Sequence, residues 1–251
     1  SNFITFTDPN FKAKLLLSDE TNEIVTDEGG NGFKLDTNNN SEIEYTEAIN
    51  VIRMNVNQAT INSLGGIEHF TNLTMLDCSY NQLSTLDLTF REYMFSINCS
   101  NNLLTSVDFP PVIDEGVVIS NNLIETLHLE SYLGFGPGIP SFFMFDCSNN
   151  PNLQSLFIKD AYIETIYSPN YFDPVYLSNC PNLSYICTKD SDIPNVVSAM
   201  NTNGNSNCVV NSYCTFNPPG QSYVVQGNVK VDFNNNGCDV SDTIYPNFNL
   251  A

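Results

Sequence analysis

Apolar and polar residues alternate in short bursts through the middle of the chain, and the bursts repeat. "LTMLDCSYNQL" sets Leu73, Leu76, Cys78 and Leu83 among polar neighbours, with Asn81 before the last of them. The frame recurs in "MFSINCSNNLL" (Met94, Ile97, Cys99, Asn102, Leu104) and "EGVVISNNLI" (Val117, Ile119, Asn122, Ile124). It returns in "FFMFDCSNNPNL" (Phe142, Phe145, Cys147, Asn150, Leu153) and "VYLSNCPNL" (Val175, Leu177, Cys180, Leu183). Upstream, "IRMNVNQATI" supplies Met54, Val56, Ala59 and Ile61. The aligned positions are 56, 78, 99, 119, 147 and 177, so successive spacings are 22, 21, 20, 28 and 30.

Alternation within "MLDCS" points Leu76 and Cys78 to one side and Met75, Asp77 and Ser79 to the other. One such strand cannot bury its apolar side alone, but a stack of them can. The pattern therefore predicts one short strand per repeat, joined in a parallel sheet. A second alternating run follows each turn ("LSTLDL", "LTSVDF", "IETLHL", "LQSLFI") and predicts an opposite wall. The recurring Asn81, Asn102, Asn122 and Asn150 predict a ladder of amides that satisfies backbone groups where the chain leaves the sheet. The two long spacings predict loops near 132–140 and 159–173.

The pattern L-x-x-L-x-L/C-x-x-N-x-L over about residues 50 to 190 resembles the leucine-rich repeat in its shorter forms. "INSLGGIEHFTNLTMLDCSYNQL" is similar to internalin-type repeats, and "CSNN", "NNPNL" and "LSYIC" resemble secreted leucine-rich proteins of Bacteroidota. The resemblance implies a solenoid of mostly β-structure and loops with few helices, exported by type IX secretion and working as a cell-surface interaction or adhesion module.

An open stack exposes its core at each end and needs caps. "TDPNFKAKLLLSD" predicts an N-terminal helix, with Thr7 or Asp8 as N-cap, Pro9 in the first turn and Phe11, Leu15, Leu16 and Leu17 on its apolar face. "SDIPNVVSAMN" predicts a second cap helix. "NPPGQ" at 217–221 reads as a linker, and "SYVVQGNVKVDF" as the opening of a β-sandwich. The expected division is a helical cap at 1–50, repeats at 51–190, a C-terminal cap at 191–216, then a linker and an incomplete β unit at 217–251.

Two stretches carry calcium-type spacing. Asp36 to Glu47 spans twelve residues, with oxygen side chains at Asp36, Asn38, Asn40, Glu44 and Glu47 and the Glu42 carbonyl at position seven. This resembles an EF-hand or dockerin loop and implies structural calcium; Ser41 stands where glycine is usual, and the alternative is a polar surface loop. Asp232, Asn234, Asn236 and Asp242 resemble a second such loop of bacterial surface adhesins, with an Asn-Gly hairpin turn as the alternative.

The cysteines divide. Cys78, Cys99 and Cys147 share a slot with Val56, Ile119 and Leu177, so they read as packed free thiols. Cys180 falls on the ladder position. Cys187, Cys208 and Cys214 cluster near the second cap, where a disulfide is expected; Cys187–Cys208 is the first choice, other connectivities stay open, and zinc is the weaker alternative.

Charge narrows the partners. The chain has 251 residues, 28 acidic against 8 basic, for a net charge of -20. That excludes a nucleic-acid partner and attraction to anionic lipid, and no apolar stretch is long enough for membrane insertion. Only two histidines occur, His69 and His128, with no nucleophile motif beside either. The expectation is a non-catalytic protein. The outward strand positions Met75, Asp77, Asn98, Val118, Met144 and Asp146 form a candidate binding lattice for a protein or glycan. Tyr171, Phe172 and Tyr176 offer an adjacent aromatic patch, with core covering as their alternative role. The competing expectation is a structural spacer or targeting region of a longer secreted protein, whose contacts would be with the secretion or cell-surface machinery.

Overall fold

The computed structural model describes residues 2–129, 144–159, 175–202, 204–214, 230–231 and 243–244. In chain order the elements begin with α1 (Pro9–Leu16), β1 (Val25–Thr26), α2 (Tyr45–Ala48), β2 (Arg53–Asn55), a 3-10 turn (Ile67–His69) and β3 (Met75–Asp77). Next come β4 (Thr85–Asp87), β5 (Tyr93–Asn98), β6 (Ser106–Asp108), β7 (Val112–Val118), β8 (Thr126–His128), β9 (Met144–Asp146) and β10 (Ser155–Phe157). The last are β11 (Val175–Tyr176), β12 (Tyr185–Cys187), α3 (Ile193–Thr202), β13 (Val209–Asn211), β14 (Lys230–Val231) and β15 (Thr243–Ile244). The chain divides into two compact units, Ser1–Asn217 and Pro218–Ala251. Of the second, the described part is the antiparallel pair β14–β15.

The first unit is a β-rich solenoid. Its front sheet runs β1-β2-β3-β5-β7-β9-β11, parallel throughout except for the antiparallel β1–β2 edge. Register stacks equivalent positions of the repeat: Met54, Leu76, Ile97, Val117, Phe145 and Val175 form one row. Five of these side chains, from Met54 to Phe145, are buried. The next inward row is Val56, Cys78, Cys99, Ile119, Cys147 and Leu177, all buried. Opposite, β4 pairs with β6, and β8, β10, β12 and β13 form a four-stranded parallel sheet. Leu86, Leu127, Leu156 and Ile186 of these back strands are buried against the front rows in one apolar core.

The asparagine ladder joins the two walls. Asn102 Nδ2 donates to the Cys78 and Cys99 carbonyls at 3.1 Å each, while its Oδ1 accepts from Leu83 N at 3.0 Å. Asn81, Asn122 and Asn150 repeat the arrangement, each donating to its own coil and the one before. Cys180 stands at the same position, and its thiol donates to the Cys147 carbonyl at 3.3 Å. One residue before each ladder position the backbone turns left-handed, at Gln58, Tyr80, Asn101, Asn121, Asn149 and Asn179. Asparagine tolerates that conformation better than most side chains, which explains the "NN" pairs in the sequence.

At the N-terminal side, α1 carries Asp8 as N-cap and buries Phe11 and Leu15. The Asp8 carboxylate also accepts from Asn62 N at 2.6 Å and Ser63 N at 3.3 Å, tying the helix to the first coil. At the other side, α3 buries Val196 and Met200. The loops expected at 132–140 and within 160–173, and "SYVVQGNV", lie outside the described residues.

Candidate functional site

The outward row of the front sheet is Asn55, Asp77, Asn98, Val118 and Asp146, with the Tyr176 backbone in register beside Asp146. Met75, Asp77, Asn98, Val118 and Asp146 are half-buried. Neighbouring strands stand about 4.8 Å apart, so this row is a fixed lattice. Three of its members have a structural task that periodicity does not reveal. Asp77 Oδ1 accepts from Ser79 N and Oγ at 2.9 and 2.6 Å. Asn98 does the same with Ser100 at 3.2 and 2.8 Å, and Asp146 with Ser148 at 2.9 and 2.7 Å. Each closes its strand end before the left-handed turn. The signal was present as Asp/Asn-Cys-Ser in these three repeats. Met144 and Tyr176 are placed by backbone only; Tyr171 and Phe172 lie outside the described residues.

The Asp36–Glu47 stretch forms a closed loop. Asp36 and Glu47 are buried. Asp36 accepts from Asn40 N at 3.1 Å and Ser41 N at 3.0 Å, Asn38 Oδ1 from Asn40 N at 3.0 Å, and Asn40 Oδ1 from Glu42 N at 2.8 Å. Asn39 and Ser41 adopt the left-handed region at φ 60° and 61°, so the missing glycine is carried by serine. The loop runs into α2 through a capping box of Glu44 and Glu47. Glu47 Oε1 also accepts from Thr37 N and Oγ1 at 2.7 and 2.6 Å. Glu44 Oε1 accepts from the Asn38 and Asn40 amides, while its Oε2 is buried without a partner. An open cleft lined by Asp27, Phe33, Thr37, Thr46 and Glu47 adjoins the loop. Among the described residues no three His, Cys, Asp or Glu side chains are grouped to hold a metal by themselves. The second calcium-type stretch, with Asp232, Asn234, Asn236 and Asp242, lies outside the described residues.

The disulfide differs from the sequence expectation. Cys187 pairs with Cys214, not Cys208, at a Cα separation of 5.3 Å. Register gives the reason. β12 and β13 pair Tyr185 with Val209 and Cys187 with Asn211. Cys208 therefore lies at the far end of the strand pair, about 10 Å back at 3.3 Å per residue, beyond disulfide reach. The chain after Asn211 folds over the outer face of the back wall instead. There Tyr185 Oη donates to the Tyr213 carbonyl at 2.6 Å, and Lys159 Nζ to the Ser212 carbonyl at 2.8 Å. Phe157, Tyr185, Cys187 and Cys214 form a small second apolar cluster on that face. His128 stacks flat on Phe157, ring centroids 4.3 Å apart.

Cys78, Cys99, Cys147, Cys180 and Cys208 are free. Burial, then the neighbouring Cys99 and Asp77, push the Cys78 thiol well above its ordinary range. Burial takes Cys99 to about 12. Thiolate is the reactive form, so these side chains fill space. His69 packs edge-on against Tyr45 at 4.9 Å and sits 3.5 Å from Glu68 Oε1.

No known family model matches the chain, and no curated protein matches it. Among solved structures, a match is the functional domain of InlJ from Listeria monocytogenes, which includes a cysteine ladder. It is 12% identical, with a TM-score of 0.25, covering 77% of this chain and 61% of that one. This chain thus spans less than two thirds of that structure. So loose a likeness carries no weight; the fold rests on the strand register.

Proposed function

We propose that the chain is a non-catalytic interaction module of an exported, cell-surface protein, with the front sheet as its binding face. The observation that carries this reading is the lattice of half-buried outward side chains held at fixed spacing by strands in register, with Val118 in the row of Asp77 and Asn98 and Met75 in the row beside it as apolar points. Repeat solenoids present such faces to partners. The Cys187–Cys214 disulfide supports an oxidising compartment. Protein or glycan is the ligand class, and type IX export in Bacteroidota is the route the sequence resemblance implies. α1 and α3 act as end caps. The test is a glycan array together with a pull-down using the whole chain, repeated with Met75→Ser and Val118→Ser. Binding that both substitutions leave unchanged sinks the front-face reading.

A second reading has its own support. Asp77, Asn98 and Asp146 each commit an oxygen to the strand-end turn, which suits a spacer whose polar face serves folding alone. No ligand in either assay, with an activity mapped to a longer form of the protein, favours it.

The Asp36–Glu47 loop is proposed to take structural calcium. Its donor set is all oxygen: Asp36, Asn38, Asn40, Glu44, Glu47 and the Glu42 carbonyl, the chemistry calcium prefers. The Glu44 Oε2 atom, shielded from solvent and without a hydrogen-bond partner, is a further oxygen available to such an ion. Calcium would fix these carboxylates against α2 and thereby the N-terminal cap.

A further inference from the structure

Two lysines touch this loop, at Glu42 and at Asn39, in a chain that has only 8 basic residues. Lys12, on α1, places Nζ 2.7 Å from Glu42 Oε2. Lys34, just ahead of the loop, donates from Nζ to Asn39 Oδ1. The loop they flank carries four carboxylates, Asp36, Glu42, Glu44 and Glu47. We propose that Lys12 and Lys34 are built-in counter-ions of this loop that set how tightly it binds a divalent cation, an inference that rests on the calcium reading above.

Neither ammonium occupies a proposed ligand atom. Glu42 would ligate through its carbonyl while Lys12 holds its side chain, and Asn39 is outside the donor set. Both lysines therefore stay in place when an ion enters, and act on it through space. Without the ion they offset the mutual repulsion of the four carboxylates. With it they oppose a second positive charge within a few ångströms of the loop. At water-like screening a unit charge about 8 Å from a divalent ion changes its affinity about five-fold, less at physiological salt. The loop is then a site of moderated affinity, preformed by lysines and responsive to calcium at the high concentrations found outside cells.

The test uses the whole chain. Calcium is titrated by isothermal calorimetry, and melting is followed with and without calcium. The variants are K12M, K34M, K12R, E47Q and K14M; Lys14 lies on α1 without a contact to the loop. K12M and K34M should each bind calcium about three- to five-fold tighter than the wild type, while melting at lower temperature when calcium is absent. K12R and K14M should bind as the wild type does. Loss of stability without tighter binding reduces the lysines to ordinary surface ion pairs and overturns the inference, leaving the calcium reading intact. Tightening equal to that of K14M assigns the effect to net charge and overturns it too. No binding by any variant, or wild-type binding that survives E47Q, removes the calcium reading and this one with it.

Discussion

Asn102 satisfies backbone groups of two coils at once, and its neighbours in the ladder do the same. Replacing it by alanine leaves the Leu83 N–H buried without a partner, while the Cys78 and Cys99 carbonyls keep only the Asn81 and Asn122 amides. An orphaned N–H costs about 1–3 kcal/mol, so Asn102→Ala should destabilise the solenoid by about 2 kcal/mol in urea melts, more than Asn101→Ala one residue earlier. Tyr80 presents the opposite case. It is 57% exposed and holds φ at 55°, the left-handed conformation that asparagine occupies in four of the other coils. Tyr80→Asn should therefore stabilise, by about 0.5–1 kcal/mol, since little packing is lost and an unfavourable backbone well is relieved. The ladder was legible because a buried amide recurs at fixed offset from apolar neighbours. The second task of Asp77, Asn98 and Asp146 was not, because a polar side chain at an outward position reads the same whether it waits for a ligand or closes a turn. Only the Ser two residues on distinguishes them.

At the scale of elements, apolar rows specified the strands, while partners depending on register between distant strands did not show in spacing. Cys187 and Cys208 flank the cap helix α3 in sequence, which suggests a pair; parallel pairing with β13 puts Cys214 in reach instead. That bridge closes 27 residues and should contribute about 3 kcal/mol. Cys214→Ser is expected to lower the melting temperature and open 209–214 to protease, while Cys208→Ser leaves both nearly unchanged. Equal effects from the two would overturn the assignment. Helix α1 depends on Asp8 in a different way. Burial opposes its ionisation, but the backbone N–H groups of Asn62, Asn10 and Ser63 outweigh that and hold the carboxyl below its ordinary range. A carboxylate whose folded-state pKa is depressed contributes stability above its unfolded pKa and loses it as pH falls through the folded one. Asp8→Asn should therefore lose stability at neutral pH and converge on the wild type as pH falls through and below the ordinary carboxylate range, as read from melting temperatures of the two proteins side by side.

For the whole molecule the net charge of -20 decides more than any single pair. Lys12–Glu42 and His69–Glu68 are ion pairs among the described residues, and the second requires a protonated histidine. Unpaired like charges repel across the fold, and salt screens them over a Debye length of about 8 Å at physiological strength. The same field sorts the proposed ligands. A basic protein approaching the front face is steered by it, and its association rate should fall about ten-fold or more between low and physiological salt. A neutral glycan feels no such steering, and its binding should be nearly flat over that range. Surface plasmon resonance at two salt concentrations thus separates the two ligand classes. A salt-independent rate excludes electrostatic capture. A steep one, lost when Asp77 and Asp146 become asparagine, places the partner on the front row, because asparagine keeps the Oδ1 bond to the serine and removes only the charge.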